Sequence, residues 1–209
     1  DENHLVCSAS GKVIGLAPTT GNRLWEFDGI ENNTSCTPIP IANGAFLIGA
    51  SSGRGEDNSG KAATNNGVIQ VSKGSDGYDI KYKWRAAKAS STFGSPIVAG
   101  DSAIFVNRAG VLYRLNIETG EELATTRTSA GGIWATPLAV GDRLYLFGYK
   151  GTTSVISLTD NSELASNRCW ETGEESPGFG GGSVLYAAAI AGDRLVLRRG
   201  DMIFAIGNQ

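Results

Sequence analysis

Short apolar runs alternate with glycine-containing turns along nearly the whole chain. Typical runs are Pro96–Ala99, Ala103–Val106 and Leu144–Phe147. Runs of this length, bounded by Gly, Asp and Asn, predict β-strands, because helices need longer segments with apolar residues three and four positions apart. The longest apolar run, Val184 to Ala191, also has the length of a strand. The pattern therefore predicts an all-β protein.

Four segments repeat one pattern, in which an apolar run leads into a turn that contains glycine. Three of these turns are Gly-Asp pairs, spaced 41 and then 51 residues apart, so the unit is about 40 residues long with insertions. Because glycine supplies the positive φ of a two-residue turn, each pair predicts a β-hairpin. The four segments are Thr37-Pro-Ile-Pro-Ile-Ala-Asn-Gly, Ser95-Pro-Ile-Val-Ala-Gly-Asp, Thr136-Pro-Leu-Ala-Val-Gly-Asp and Ala187-Ala-Ala-Ile-Ala-Gly-Asp.

A second hairpin follows in each unit, so that one unit contains four antiparallel strands. In one unit it runs from Gly110 to Asn116, turns at Ile117–Gly120 and returns from Glu121. Its strands are apolar on both sides, which is typical of a sheet covered on both faces. Four-stranded sheets that stack around an axis, with about 40 to 45 residues in each, form a β-propeller. We therefore expect a β-propeller of four-stranded antiparallel blades.

The two ends of the chain do not complete whole units. The first predicted strands, His4–Ser8, Lys12–Leu16 and Arg23–Phe27, are strands two to four of a blade, and the last, Met202–Ile206, is a third strand. We therefore expect three full blades and two incomplete ones in a single domain. This domain covers residues 1–209, with inserted loops at 51–66 and 171–182.

A longer motif gives the repeat a family resemblance. Gly11 to Trp25 fits the pattern Gly-x-Val-x-x-Leu-x-x-x-Thr-Gly-x-x-Leu-Trp, and Gly110 to Ala124 follows it more loosely, without the Trp. This pattern resembles the PQQ-like repeat of quinoprotein alcohol dehydrogenase-like propellers, a class that includes BamB-like proteins. The resemblance implies a periplasmic or secreted location and seven or eight blades. The chain is then expected to be the C-terminal part of a larger propeller, and the alternative is a short, open or five-bladed form.

Composition narrows the range of partners. The formal net charge is -3 and no run rich in Lys and Arg is present, which argues against binding to nucleic acid. No apolar run reaches the 18 or so residues of a transmembrane helix. Cys7, Cys36 and Cys169 lack Cys-x-x-Cys spacing, so we expect buried thiols rather than a zinc or redox site.

The sequence offers no convincing catalytic or cofactor-binding set. His4 is the only histidine and lies near the first residue, so Ser-His-acid and two-His metal sites lack a credible member. The segment Gly55–Lys61 matches the glycine and lysine spacing of a phosphate-binding loop. It is followed by Ala62, however, where that loop needs a Ser or Thr hydroxyl. Quinone-dependent dehydrogenases of the resembled class use adjacent cysteines, which are missing here. We expect no cofactor, no metal and no enzymatic activity.

Four residues are candidates for an interaction surface. Phe93 and Trp134 each stand three residues before an aligned Pro, where the innermost strand of a blade begins, so we expect them at the mouth of the central channel; core packing is the alternative. Phe179 lies in the glycine-rich second loop and Arg54 in the first, and such loops often carry binding residues. Incomplete end blades also favour self-association.

The resulting expectation is a protein-interaction or scaffolding module of the cell envelope that binds a protein partner. The alternative belongs to a different functional class. In that interpretation the chain is a fragment of a propeller enzyme or of a quinone-binding dehydrogenase whose active-site blades are absent.

Overall fold

The computed structural model describes residues 3–31, 35–51, 63–91, 93–170 and 185–207. Within these ranges the chain forms five antiparallel sheets, each a meander in which strands that follow one another in sequence pair side by side. Three sheets have four strands, and the first and last have three. The prediction of an all-β chain built from four-stranded antiparallel units is confirmed. The blade number and closure of a whole propeller stay predictions.

The strands are numbered in chain order. Sheet 1 contains β1 (Leu5–Ala9), β2 (Lys12–Leu16) and β3 (Arg23–Asp28). Sheet 2 contains β4 (Ile39–Pro40), β5 (Ala45–Ile48), β6 (Gly67–Gly74) and β7 (Gly77–Arg85), with a short 3-10 helix, Ala42–Gly44, before β5. Sheet 3 contains β8 (Ile97–Ala99), β9 (Ser102–Val106), β10 (Val111–Asn116) and β11 (Glu122–Arg127). Sheet 4 contains β12 (Leu138–Val140), β13 (Arg143–Phe147), β14 (Thr152–Ser157) and β15 (Glu163–Arg168). Sheet 5 contains β16 (Leu185–Ala191), β17 (Arg194–Arg199) and β18 (Met202–Ile206).

The glycines of the repeat make the hairpin turns as predicted. Gly100, Gly141 and Gly192 have φ values of 58°, 60° and 62° and join the first two strands of sheets 3, 4 and 5. A side chain at these positions would meet the steric penalty of the left-handed region, which glycine avoids. The repeat therefore encodes the register of the first hairpin in each of these three sheets.

Consecutive sheets pack face to face, and alternate residues of one strand enter two different cores. In β9, Ala103 and Phe105 pack against sheet 2, whereas Ile104 and Val106 pack against sheet 4. All four are buried. Burial on both faces removes the usual alternation of apolar and polar residues, which explains the continuous apolar runs in the sequence.

The Ser/Thr position of the repeat connects the first strands of neighbouring sheets. The backbone N–H of Thr37 donates to Ser95 Oγ at 2.8 Å, and the N–H of Ser95 donates to Thr136 Oγ1 at 3.0 Å. The fourth repeat has Ala187 at this position, which has no hydroxyl to accept. We call this series the hydroxyl ladder.

A tryptophan closes the outer junction between sheets 2 and 3. Trp84 in β7 donates its indole N–H to Ile117 O at 2.9 Å and is only 8% exposed. Its ring lies on Gly120 of the β10–β11 turn, where an added Cβ would come within 2.6 Å of the indole. The Thr-Gly turn and the outer-strand Trp of the repeat therefore form one packing contact.

Sheets 3 and 4 make the equivalent contact without a tryptophan. Ala124 replaces it in β11, and Arg114 lies directly opposite Ala124 in the β10–β11 pairing. The Arg114 guanidinium donates to Leu158 O, the carbonyl that corresponds to Ile117 O in the next turn. The long side chain from the neighbouring strand thus replaces the missing indole.

Candidate functional site

Three aromatic side chains gather at one edge of the sheets. Phe93 lies between β7 and β8, Trp134 between β11 and β12, and Tyr149 between β13 and β14. In a four-stranded antiparallel meander, the connection from strand two to strand three leaves at the same edge as the connection to the next sheet. Topology therefore places all three on one face, and we call them the aromatic cluster.

The rings of the aromatic cluster are in direct contact. The centroids of Phe93 and Trp134 lie 5.1 Å apart with the rings tilted by 72°, and those of Trp134 and Tyr149 lie 5.8 Å apart with a tilt of 27°. Edge-to-face and offset-stacked arrangements of this kind are favourable for aromatic pairs. Phe93 is 44% exposed, and Trp134 and Tyr149 are half-buried. The cluster presents a preformed apolar surface to solvent.

Local backbone contacts hold Tyr149 in place. Its N–H donates to Gly132 O at 2.8 Å, and an added Cβ at Gly132 would lie 2.4 Å from the Tyr149 ring. A side chain at position 132 would therefore displace the ring. The exposed Lys150 has its Nζ 5.8 Å from the Tyr149 centroid, so a positive charge borders the cluster.

The structure brings together two of the four predicted surface residues. Phe93 and Trp134 touch each other, and neither is a core residue, but their role in binding stays a prediction. Arg54, Phe179 and the Gly55–Ala62 segment lie outside the described residues. Tyr149 was not predicted, because it lies between the second and third strands of its sheet and not in a connection that precedes a first strand. The rule that alternate connections share an edge would have found it.

The prediction of buried thiols is correct for one cysteine. Cys36 is buried and its Sγ donates to Gly94 O at 3.4 Å, and burial raises the pKa of this thiol to about 11. Cys7 and Cys169 are only half-buried, so the prediction is wrong for them. Cys7 alternates with the inward-facing Val6 on β1 and so lies on the outer face of sheet 1, which no described sheet covers. In the described part of the chain, none of the three forms a disulfide.

His4 makes two hydrogen bonds, although it lies near the first residue of the chain. The indole N–H of Trp25 donates to His4 Nδ1 at 3.0 Å, and His4 Nε2 lies 3.1 Å from the phenol oxygen of Tyr78. Tyr78 is 74 positions away in sequence, so no local pattern could have revealed the contact. Elsewhere in the described ranges, no three His, Cys, Asp or Glu side chains lie close enough together to hold a metal ion.

Three features define this fold as a β-propeller of the PQQ-like repeat class. They are the sequence repeats, the stacked four-stranded sheets and the contact of Trp84 with the turn of the next sheet. A comparison with protein families agrees with this class. The family described as outer membrane protein assembly factor BamB matches residues 9–206. The chain belongs to this family, and the resemblance found in the sequence is confirmed.

One solved structure shows the same fold at low sequence identity. BamB from Moraxella catarrhalis is 13% identical, with a TM-score of 0.50 over 98% of this chain and 70% of that chain. The computationally designed Ika8 protein is 14% identical, with a TM-score of 0.49 over 99% of this chain and 69% of that chain. A europium-containing methanol dehydrogenase is also 14% identical, with a TM-score of 0.45 over 63% of this chain and 24% of that chain. A search of the curated proteins finds no significant match. Among the described residues, no helix is long and apolar enough to cross a membrane.

Proposed function

We propose that this protein is a non-catalytic interaction module of the cell envelope that binds a protein partner through the aromatic cluster. The observation that carries the proposal is the exposed contact between Phe93 and Trp134 at the edge of two well-packed sheets. Aromatic residues are enriched in the cores of protein interfaces, where a few of them supply most of the binding energy.

The surroundings of the cluster fit this role. Tyr149, one member of the cluster, lies between β13 and β14, and most side chains of these two strands are buried. A rigid base lowers the entropy lost on binding, because the rings are already ordered before the partner arrives. Lys150 at the border favours a partner with acidic groups around an apolar centre.

Family membership supports both the partner class and the location. The matching family is described as an outer membrane protein assembly factor, and an assembly factor acts by contacting other proteins. We extend this to the present chain and propose an extracytoplasmic location, periplasmic or secreted.

Site-specific crosslinking tests the proposed surface. A photoreactive phenylalanine analogue at position 93 should crosslink to a discrete protein in envelope extracts, and Trp134→Ala should abolish the product by removing the neighbouring ring. The same analogue at Val140 is the matched control. Val140 is 42% exposed but ends β12 at the opposite edge. Equal crosslinking from both positions, or a product insensitive to Trp134→Ala, would contradict the proposal.

The alternative of a fragment from a propeller enzyme or a quinone-binding dehydrogenase is tested with the same preparation. Titration with pyrroloquinoline quinone should leave its absorption spectrum unchanged. A saturable spectral change would favour the alternative, whatever the crosslinking result.

A further inference from the structure

The last described sheet ends one strand earlier than the sheets before it. In sheets 2, 3 and 4 the third strand pairs on its outer side with a fourth strand. The third strand of sheet 5 is β18, and within the described ranges no strand pairs with its outer edge. Because the N–H and C=O groups of a strand point alternately to its two sides, half of those in β18 face this edge.

The sequence of β18 is typical of a strand with a neighbour on each side. It reads Met-Ile-Phe-Ala-Ile and contains neither a charged residue nor a proline. Free sheet edges are normally protected by such residues. The outermost strands of the other four sheets, β3, β7, β11 and β15, each carry at least two charged residues. β18 therefore lacks the protection that the same chain gives to its other outer edges.

Ile206 at the end of β18 is more exposed than its counterparts. The equivalent residues are Leu115 in β10 and Ile156 in β14, and each of the three pairs with the second residue of the strand before it. Leu115 and Ile156 are 3% and 1% exposed, whereas Ile206 is 49% exposed. This position is buried in the two sheets where a fourth strand follows.

Cys169 shows the same difference on the neighbouring sheet. It directly follows β15 and belongs with Phe204 of β18 to the apolar cluster between sheets 4 and 5. Ala86 and Thr128, which directly follow β7 and β11, are buried, and in both cases the next sheet has four strands. Cys169 is only half-buried. It therefore borders the place that a fourth strand of sheet 5 would take.

This place suits a single extended segment better than a second copy of the chain. Fourth strands of neighbouring sheets lie against each other, as the rings of Phe27 in β3 and Tyr82 in β7 show with centroids 5.4 Å apart. By the same stacking, β15 lies beneath the place next to β18. An antiparallel pair of two β18 strands would put sheet 4 of both copies on the same side of the joined sheet. The outer strands of those two sheets would then collide.

The fourth strands of sheets 3 and 4 indicate which side chains fit. They read Glu-Leu-Ala-Thr-Thr-Arg in β11 and Glu-Leu-Ala-Ser-Asn-Arg in β15. In β11, Thr125 lies opposite Tyr113, the residue that corresponds to Phe204 of β18. Side chains directly opposite each other share one face of a sheet. A small hydroxyl-bearing residue therefore fits beside the aromatic ring.

We propose that the outer edge of β18 binds an extended segment of a partner protein, which pairs with it as a fourth strand. The segment has the chemistry of β11 and β15, with small and hydroxyl side chains at its centre. An acidic residue lies opposite Ile206 and a basic residue opposite Met202. In strand addition, backbone hydrogen bonds supply affinity and side chains supply specificity. The edge lies apart from the aromatic cluster, and neither proposal depends on the other.

A peptide with the sequence of residues 121–128, Glu-Glu-Leu-Ala-Thr-Thr-Arg-Thr, is the probe. Labelled with fluorescein, it should show a saturable rise in anisotropy with protein concentration. The control peptide is N-methylated at the positions of Ala124 and Thr125. Because successive N–H groups point to opposite sides of a strand, one donor toward β18 is lost, and binding should weaken at least five-fold.

Two results of this titration would overturn the proposal. One is the absence of saturable binding, and the other is equal binding of the two peptides. Sedimentation of the same samples tests the second copy as occupant. A dimer that forms at higher protein concentration and releases the peptide would assign the edge to a second copy and would also overturn the proposal.

Thiol labelling locates the bound peptide. Cys169 and Cys7 are both half-buried and Cys36 is buried, so maleimide labelling followed by mass spectrometry compares two sites in one molecule. Saturating peptide should slow the labelling of Cys169 at least five-fold and leave that of Cys7, on sheet 1, unchanged. Equal slowing at both cysteines, or no slowing at Cys169, would refute the placement beside β18.

Two isoleucine variants test the pairing itself. Ile206→Glu puts a carboxylate opposite the first glutamate of the Glu-Leu-Ala segment, and like charges in directly opposite positions repel, so peptide binding should weaken at least five-fold. Ile190→Glu is the matched control. Ile190 is 47% exposed and pairs with the same residue, Leu195, but lies on β16 at the other side of the sheet. Both variants should have similar melting temperatures. Equal losses of binding, or full binding by Ile206→Glu, would contradict the proposed pairing.

Discussion

The junction of sheets 2 and 3 and the junction of sheets 1 and 2 use the same tryptophan position in opposite ways. At the first, Trp84 lies on Gly120 and donates to a backbone carbonyl of the neighbouring sheet. At the second, Trp25 donates to His4 Nδ1 instead of to a carbonyl of the neighbouring sheet. The difference arises from the following turn, which is a Thr-Gly turn in one case and a long hairpin in the other. A repeat residue therefore has a structural role only together with its partner in the next unit.

The largest expected effect is at the closed junction. Trp84→Ala should lower the free energy of unfolding by about 3 to 5 kcal/mol, because it removes a buried ring and leaves Ile117 O without its donor. Urea denaturation measures the change. Leu164→Ala, at a position 53% exposed on an outer strand, is the control and should stay within about 0.5 kcal/mol. Similar losses in both variants would mean that Trp84 does not close the junction.

Alkaline pH should affect the two junctions one after the other. Burial raises the pKa of Cys36, next to sheet 3, to about 11 and that of Tyr82, in the core between sheets 1 and 2, to about 12. An unfolded thiol loses its proton near pH 9, so between pH 9 and 11 the unfolded state binds fewer protons and stability falls with rising pH. The slope is at most about 1.4 kcal/mol per pH unit for one group.

Denaturation at a series of pH values measures this decline. Cys36→Ala should flatten the fall that begins at pH 9, and Tyr82→Phe should flatten only the fall above pH 10. If neither variant changes the profile, these two groups do not account for the loss of stability at high pH.

A moderate effect is expected at the junction of sheets 3 and 4. Arg114→Ala should lower the free energy of unfolding by about 1 to 3 kcal/mol, because Leu158 O and Ser102 Oγ lose their donor in a partly buried site. The control is Arg127→Ala, whose guanidinium makes one exposed contact with Ala109 O. A loss for Arg114→Ala no larger than that of the control would show that the arginine does not replace the missing indole.

The smallest effect is expected at the open junction. Trp25→Phe keeps most of the packing but removes the donor to His4 Nδ1, so the free energy of unfolding should fall by about 1 kcal/mol. The His4 imidazole signals should shift at the same time, because Nδ1 no longer accepts a hydrogen bond. Unchanged His4 signals would contradict the hydrogen bond between the two rings.

The fold could be predicted because its signals are local. Gly100 and Gly141 mark turns by their own conformational freedom, and the apolar runs beside them follow from burial on both faces. The candidate sites depend on contacts between distant segments, such as His4 with Tyr78 or Trp134 with Tyr149. The role of Arg114 could not be predicted, because it depends on the pairing of Arg114 with Ala124 across two strands. The sequence shows only that Ala124 stands where the repeat has a tryptophan.

The hydroxyl ladder has a consequence for how such a chain can change length. Ser95 accepts from the unit before it and donates to the unit after it, so sheet 3 carries both connectors. Gene duplication or deletion of the unit that forms sheet 3 would leave the backbone N–H before each remaining first strand facing a Ser or Thr hydroxyl, as Thr37 and Ser95 do now. The copy number of this unit can therefore change in evolution without leaving a hydrogen-bonding group unpaired between the first strands of neighbouring sheets.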